Sequence, residues 1–162
     1  MKFFKNFYKY EEEAPEEGSK EWYEQYEQVE ILGNKYDAYL KQICDFLPSG
    51  FLDIYYEYFQ FQGWDLNALE FNHDIYDHPF IICTLTHANI NKRIILKYID
   101  VKSFHTNLGK HYFRSYRYGI PGLIGVNEFI LHKNILSHEI YFNTPESVKI
   151  YFQRLEISVK DI

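Results

Sequence analysis

The chain has 162 residues, 20% of them aromatic, with 23 acidic and 17 basic side chains and a formal net charge of −6. That length suits one domain with a real core, and the negative balance argues against nucleic acid or an anionic membrane surface as the main partner. Two isolated cysteines, Cys44 and Cys83, are too few for a disulfide framework or a zinc knuckle, and both read as core thiols.

Charge is unevenly divided: 13 acidic residues against 6 basic through Glu57, then 10 against 11. Residues 1–18 pass from an aromatic and lysine-rich start into EEEAPEEG, where like charges, a proline and a glycine oppose regular structure. They are expected to form a flexible acidic arm. The start has no apolar run of signal-peptide length, and no later segment reaches a membrane span of roughly 18 apolar residues. The cytoplasm is the expected compartment.

Residues 19–47 carry the clearest periodicity. Trp22, Tyr26, Val29, Gly33, Tyr36, Leu40, Ile43 and Leu47 recur at alternating steps of four and three, which places them on one face of an α-helix. Ser19 is the expected N-cap, Gly33–Asn34 is the point where the helix could break, and Pro48 ends the pattern. Ser49 then caps a shorter helix with Phe51, Leu52, Tyr55 and Phe59 on one side, closing at Gln62 and Gly63.

From Trp64 the period becomes two. Trp64, Leu66 and Ala68 share one face while Leu69 and Phe71 continue in the opposite phase, a slip that a β-bulge accommodates. Residues 80–87 form a central strand and 93–101 another, with 104–108 extending it or forming a short strand. The segment GKHYFRSYRYGIPG has no clean period and reads as a long loop. Strands follow at 126–132, 135–142 and 148–159, the last changing phase near Gln153 after a turn at Asn143, Thr144 and Pro145. These signals give an α+β fold in which N-terminal helices pack on a mostly antiparallel, strongly twisted sheet of six or seven strands. Residues 19–162 form a single domain, helical over 19–62 and sheet over 64–160.

Candidate chemistry is sparse. His73, Asp74, Asp77 and His78, in NHDIYDHP, are ligand types that a divalent metal accepts, although the same residues also build a solvated strand connection. His87, His132 and His138 fall at or near strand ends, where partial exposure is expected. Neither cysteine has a neighbouring base, and GIPGLIG lacks the lysine of a phosphate loop. KHYFRSYRY, residues 110–118, interleaves basic and aromatic side chains like a nucleic-acid stacking platform, but the protein's own field opposes a polyanion. The same residues suit a protein interface, where arginine and tyrosine are common anchors.

The order of several segments resembles a family of small, uncharacterised bacterial cytosolic proteins. The segments are SKEWYE at 19–24, LPSGFLDIYY at 47–56, FQGWDLNALEF at 61–71, LKYIDVKSF at 96–104 and VNEFILHKNILSHEIYF at 126–142. Where such relatives carry a His-Asp pair, this chain has Gln62 and Gly63. The resemblance implies an immunity-type role, in which a small acidic protein neutralises a toxin made by the same cell. The function expected is therefore a non-enzymatic protein-binding module, most plausibly an immunity-type inhibitor of a cognate basic toxin, with no cofactor. Glu21, Glu24, Glu27 and Glu30 would supply charge, and Tyr112, Arg114, Tyr116 and Arg117 the loop anchors. The alternative is a small metal-dependent enzyme using His73, Asp74, Asp77 and His78.

Overall fold

A computed structural model of the chain describes residue 3 and residues 15–107, 124–142 and 146–162. The chain divides into two compact units, Met1–Cys44 and Asp45–Ile162. The expected helical layer over 19–62 is thereby split, its long helix in the first unit and its short helix with the strands.

In the first unit, α1 (Lys20–Gln42) runs without interruption through Gly33 and Asn34. Ser19 caps it as the sequence predicts, its Oγ accepting from the Trp22 amide at 3.1 Å, and Glu21 lies in the first turn where the helix dipole favours a carboxylate. The apolar stripe is used in its second half, where Tyr36 and Leu40 are buried. The Phe3 ring lies 5.3 Å from Tyr36 and 5.2 Å from Tyr39. In the first half, Trp22 stacks on Tyr26 at 5.6 Å and Tyr26 stays exposed.

The second unit holds α2 (Phe51–Glu57) and eight strands: β1 (Asp65–His73), β2 (Pro79–His87), β3 (Ile90–Ile99), β4 (Ser103–Asn107), β5 (Ile124–His132), β6 (Ile135–Phe142), β7 (Ser147–Phe152) and β8 (Arg154–Asp161). They form two four-stranded sheets, β1-β2-β3-β8 and β4-β7-β6-β5, with every neighbouring pair antiparallel. This corrects the expectation of one sheet with six or seven strands. The reason lies in two corners. One arm passes from β3 into β4 through Asp100, which takes a positive φ of 55°, and the other passes from β7 into β8 through Gln153, where the sequence phase slips. Because β3 pairs with β8 and β4 with β7, the two bent arms lie against each other along both sheets. Backbone bonds from Lys102 N to Tyr151 O (2.8 Å) and Gln153 N to Ile99 O (3.2 Å) hold them through the bend. Far from the corners, Gly63 N donates to Ile124 O and Ile124 N to Trp64 O, both at 2.8 Å, joining the chain just before β1 to the start of β5.

The slip predicted in the first strand is real, with the register shifting between Leu66 and Ala68. Between the sheets lie alternate residues of each strand: Ile81, Cys83 and Leu85; Ile94, Leu96 and Tyr98; Leu136, His138 and Ile140; Val148, Ile150 and Phe152, all buried. Tyr98 meets Phe152 edge to face at 5.0 Å, bridging the sheets.

Helix α2 packs on β5. Phe51 sits 4.9 Å from Phe129, and Tyr55 lies between Phe129 and Phe61 at 5.9 and 5.0 Å. Its N-cap is Gly50, in the left-handed conformation with no side-chain bond, in place of the expected Ser49. After α2 the chain makes a left-handed turn, Phe59, Gln60 and Phe61 having φ of 54°, 54° and 61°. A non-glycine residue in that region costs about 1–2 kcal/mol. The turn directs Phe61 into the core and Phe59 into solvent, which corrects the assignment of Phe59 to the apolar side of the helix. Among the described residues no helix is long and apolar enough to cross a membrane.

Gly33 offers a direct stability test. It sits inside a continuous helix, and a Cβ placed there would meet nothing within 4 Å. Gly33→Ala is expected to raise helix stability by about 0.5–1 kcal/mol through the entropy that glycine loses on ordering, read as a higher unfolding midpoint in urea monitored by circular dichroism.

Candidate functional site

Four places hold the polar chemistry of the described residues. The first is the acidic face of α1. Glu21, Glu24, Glu27 and Glu30 follow at steps of three, so they wind around the side opposite Val29, Tyr36 and Leu40. All four are exposed. Glu24 pairs with Lys20 at 3.3 Å, an exposed i,i+4 contact of small energetic weight. Tyr23 stands among these carboxylates, whereas Tyr26 lies on the apolar stripe and stacks on Trp22; each tyrosine is 61% exposed. The other expected contact residues, Tyr112, Arg114, Tyr116 and Arg117, lie outside the described residues.

The second place is the β1–β2 hairpin. His73, Asp74, Asp77 and His78 do not converge on one point: His73 Nδ1 faces Asp77 Oδ1 at 3.2 Å, while His78 Nδ1 faces Asp74 Oδ2 at 3.4 Å and Asp100 at 3.9 Å. Asp74 Oδ1 is already taken by the amides of Tyr76 (2.8 Å) and His78 (2.9 Å). Those bonds, the His78 amide first, hold the Asp74 carboxyl below its usual range. Among the described residues no group of three or more His, Cys, Asp or Glu side chains is arranged to hold a metal ion. Within NHDIYDHP these side chains pair with one another and brace the turn.

The third place is a chain of buried polar groups between the sheets, and its donors can be assigned by logic alone. Asn127 Nδ2 lies 2.6 Å from the Gln60 carbonyl, which can only accept. The amide is thereby oriented, so Asn127 Oδ1 is the atom facing His138 Nε2 at 3.1 Å and the Tyr55 hydroxyl at 3.2 Å. It follows that Nε2 carries the imidazole proton and Nδ1 accepts from the Tyr98 hydroxyl at 2.7 Å. Cys83, on β2, is hydrogen-bonded to the same Tyr98 hydroxyl. The His138 ring also stacks flat on Phe129 at 3.9 Å. Burial drives the His138 value down to about 3 and pushes the Cys83 thiol up to about 12, the latter against the Tyr98 bond that lowers it. Two sequence expectations are corrected: His138 is wholly buried, and of the two thiols Cys44 is exposed.

The fourth place was missed by the sequence reading. On the outer face of the second sheet, His105, Lys149, Glu139 and Glu128 stand directly opposite one another across β4, β7, β6 and β5. Lys149 Nζ reaches Glu139 at 3.2 Å, and Tyr141 donates to the same carboxylate at 2.6 Å. Burial works against the Lys149 charge, but bonds to Tyr151 and Glu139 keep its pKa above the ordinary value. Glu128 and Glu139 face each other, both buried, with Lys149 beside Glu139. His132 Nε2 lies 3.0 Å from Ser137 Oγ, yet Ser137 is fully buried, so this pair presents no nucleophile to solvent. The signal was available in the two-residue turn Lys133–Asn134: counting outward from it puts Glu128 opposite Glu139 and Phe129 opposite His138.

No protein-family model matches the sequence, and no curated protein matches it. A crystal structure described as an uncharacterized protein from Neisseria gonorrhoeae is a remote structural neighbour, with 10% sequence identity and a TM-score of 0.43 over 59% of this chain and 94% of that one. So distant a likeness carries no functional argument.

Two measurements test the buried chain. Between about pH 6.5, where histidine titrates in an unfolded chain, and the folded value of about 3, the unfolded protein binds a proton that the native protein does not. The stability due to neutral His138 is therefore complete above about pH 6.5 and is lost as pH falls toward 3, by up to about 1.4 kcal/mol per pH unit. His138→Gln is expected to flatten the slope of unfolding free energy against pH by that amount, whatever its effect on stability at neutral pH. A thiol reagent is expected to label Cys44 in the native protein and Cys83 only on unfolding, since a buried thiol with a raised pKa supplies almost no thiolate. Equal labelling rates would contradict the burial of Cys83.

Proposed function

We propose that this chain is a non-enzymatic protein-binding module that takes a basic protein partner on the acidic face of α1. Its biological form is an immunity-type inhibitor that neutralises a cognate toxin. The observation that supports this most directly is the placement of Tyr23, 61% exposed, among Glu21, Glu24, Glu27 and Glu30. Large aromatic surface left to water is costly unless it is covered part of the time, and tyrosine is a frequent anchor at interfaces. The surrounding carboxylates select the partner: they attract a cationic surface and speed encounter with it, and they disfavour polyanions.

The test is rescue. Genes adjacent to this one are expressed singly and together with it, and host growth is recorded. One neighbour is expected to be toxic alone and harmless in the presence of this protein. Its association rate should fall steeply with added salt, and by roughly 10–100-fold when Glu21, Glu27 and Glu30 are replaced together by lysine. An interaction indifferent to both salt and charge reversal would remove the helix face from the account. If no neighbour is toxic, the inhibitor role goes with it.

A further inference from the structure

The described hairpin turns differ in what they show to solvent. The β2–β3 turn carries Ala88 and Asn89, and the β5–β6 turn carries Lys133 and Asn134. Both tips are small or polar, as a turn that only reverses the chain requires. The β1–β2 turn instead presents Ile75, 90% exposed, and Tyr76, 74% exposed, the two most exposed large apolar side chains described. Reversing the chain does not call for them.

The same turn is the most heavily braced of the three. Asp74 Oδ1 accepts from the amides of Tyr76 and His78. Asp74 N donates to His78 O and Asp77 N to Asp74 O, both at 3.0 Å. His73 pairs with Asp77 and His78 with Asp74. Asp77 holds a φ of 65°, in the region that aspartate tolerates better than most residues. The result is a turn whose backbone is held in shape before any partner arrives, which reduces the backbone ordering entropy that binding must overcome. Two carboxylates flank Ile75 and Tyr76, and Asp74 is held in its ionised form by the amides it accepts from. An anionic lipid surface would repel this tip, whereas a cationic rim around an apolar pocket matches both its charge and its apolar tip.

We propose that the β1–β2 hairpin is a preorganised docking element whose Ile75 and Tyr76 enter an apolar pocket with a basic rim on a protein partner. This rests on the reading of the chain as a binder of a basic protein. Asp74 is a positioning residue: it shapes the turn and supplies charge without itself entering the pocket.

The experiment uses the full chain with the photo-crosslinker p-benzoylphenylalanine in place of Tyr76, in place of Tyr23 on α1, or in place of Lys133 as a control, irradiated in the cells that produce it. Position 76 is expected to yield an adduct with a basic polypeptide that does not form from position 133. With that polypeptide purified, Ile75→Ser is expected to weaken binding at least tenfold while leaving the unfolding midpoint unchanged. Asp74→Ala should weaken it as well, and Asp74→Asn, which retains the accepting oxygen, should lose less affinity and some of the salt dependence. An adduct from position 76 with a second copy of this chain, with lipid or with an acidic protein overturns the proposal, as does unchanged affinity in Ile75→Ser. An adduct from position 23 without one from position 76 overturns the hairpin contact and leaves the α1 reading standing. Protein adducts from neither position end both.

Discussion

The bond from Asn127 to the Gln60 carbonyl orders the interior of the strand-bearing unit. A carbonyl accepts and cannot donate, so that one contact orients an amide, the amide selects a histidine tautomer, and the tautomer decides which way Tyr98 donates. Four side chains from α2, β3, β5 and β6 thus share a single direction of hydrogen bonding across the gap between two sheets. Such a chain holds only if every member is in place, because a buried donor or acceptor left unmatched costs about 1–3 kcal/mol. The strained turn at Phe59–Phe61 is part of the same arrangement: its backbone conformation places the Gln60 carbonyl where the amide needs it, and the bond in turn helps to hold the turn.

Around that chain the aromatic residues do two different jobs. Phe51, Tyr55, Phe61 and Phe129 meet largely edge to face and fix the seat of α2 on β5, while Phe129 also covers the flat side of His138. An imidazole walled in this way is kept neutral by lack of water, and its hydrogen bonds are those of the neutral ring. The rings left outside, on α1 and at the β1–β2 turn, sit beside carboxylates. The high aromatic content therefore reflects both a ring-built interior and a small number of rings presented to solvent among negative charges.

Much of the fold was legible in the sequence where a periodic pattern met a clear stop. Ser19 and the apolar run marked α1, which stops at Gln42, short of the end expected at Pro48, and the phase slips near Leu66–Ala68 and at Gln153 marked a bulge and a corner. The division into two sheets was not legible, because a phase change says that a strand bends and does not say that the bent halves join different sheets. Helix capping by Gly50 and the left-handed turn after α2 were hidden for a related reason, since tertiary packing of Phe61 and the bond to Gln60 set those backbone angles. At the candidate sites, residue types were read correctly and their partners were not. The His and Asp residues of the hairpin looked like ligands because their distances are set by the turn, which sequence spacing alone does not give. The row from His105 to Glu128 was readable only by pairing strands β5 and β6 through their two-residue turn, and its other half depends on β4 and β7 meeting from distant parts of the chain.

The shared arms also govern how the strand-bearing unit can assemble. β7 is an interior strand of its sheet, between β4 and β6, and β8 completes the other, yet both are contributed by one late stretch of chain. On a ribosome, β1, β2 and β3 can pair as they emerge, but β4 and β6 stay without a common neighbour until that stretch has been made. Until then edges of β3, β4 and β6 remain open to pairing with another chain. Folding of this unit accordingly waits for β7 and β8 and carries a large share of distant contacts, the topology that folds slowly and gains most from protection of the nascent chain.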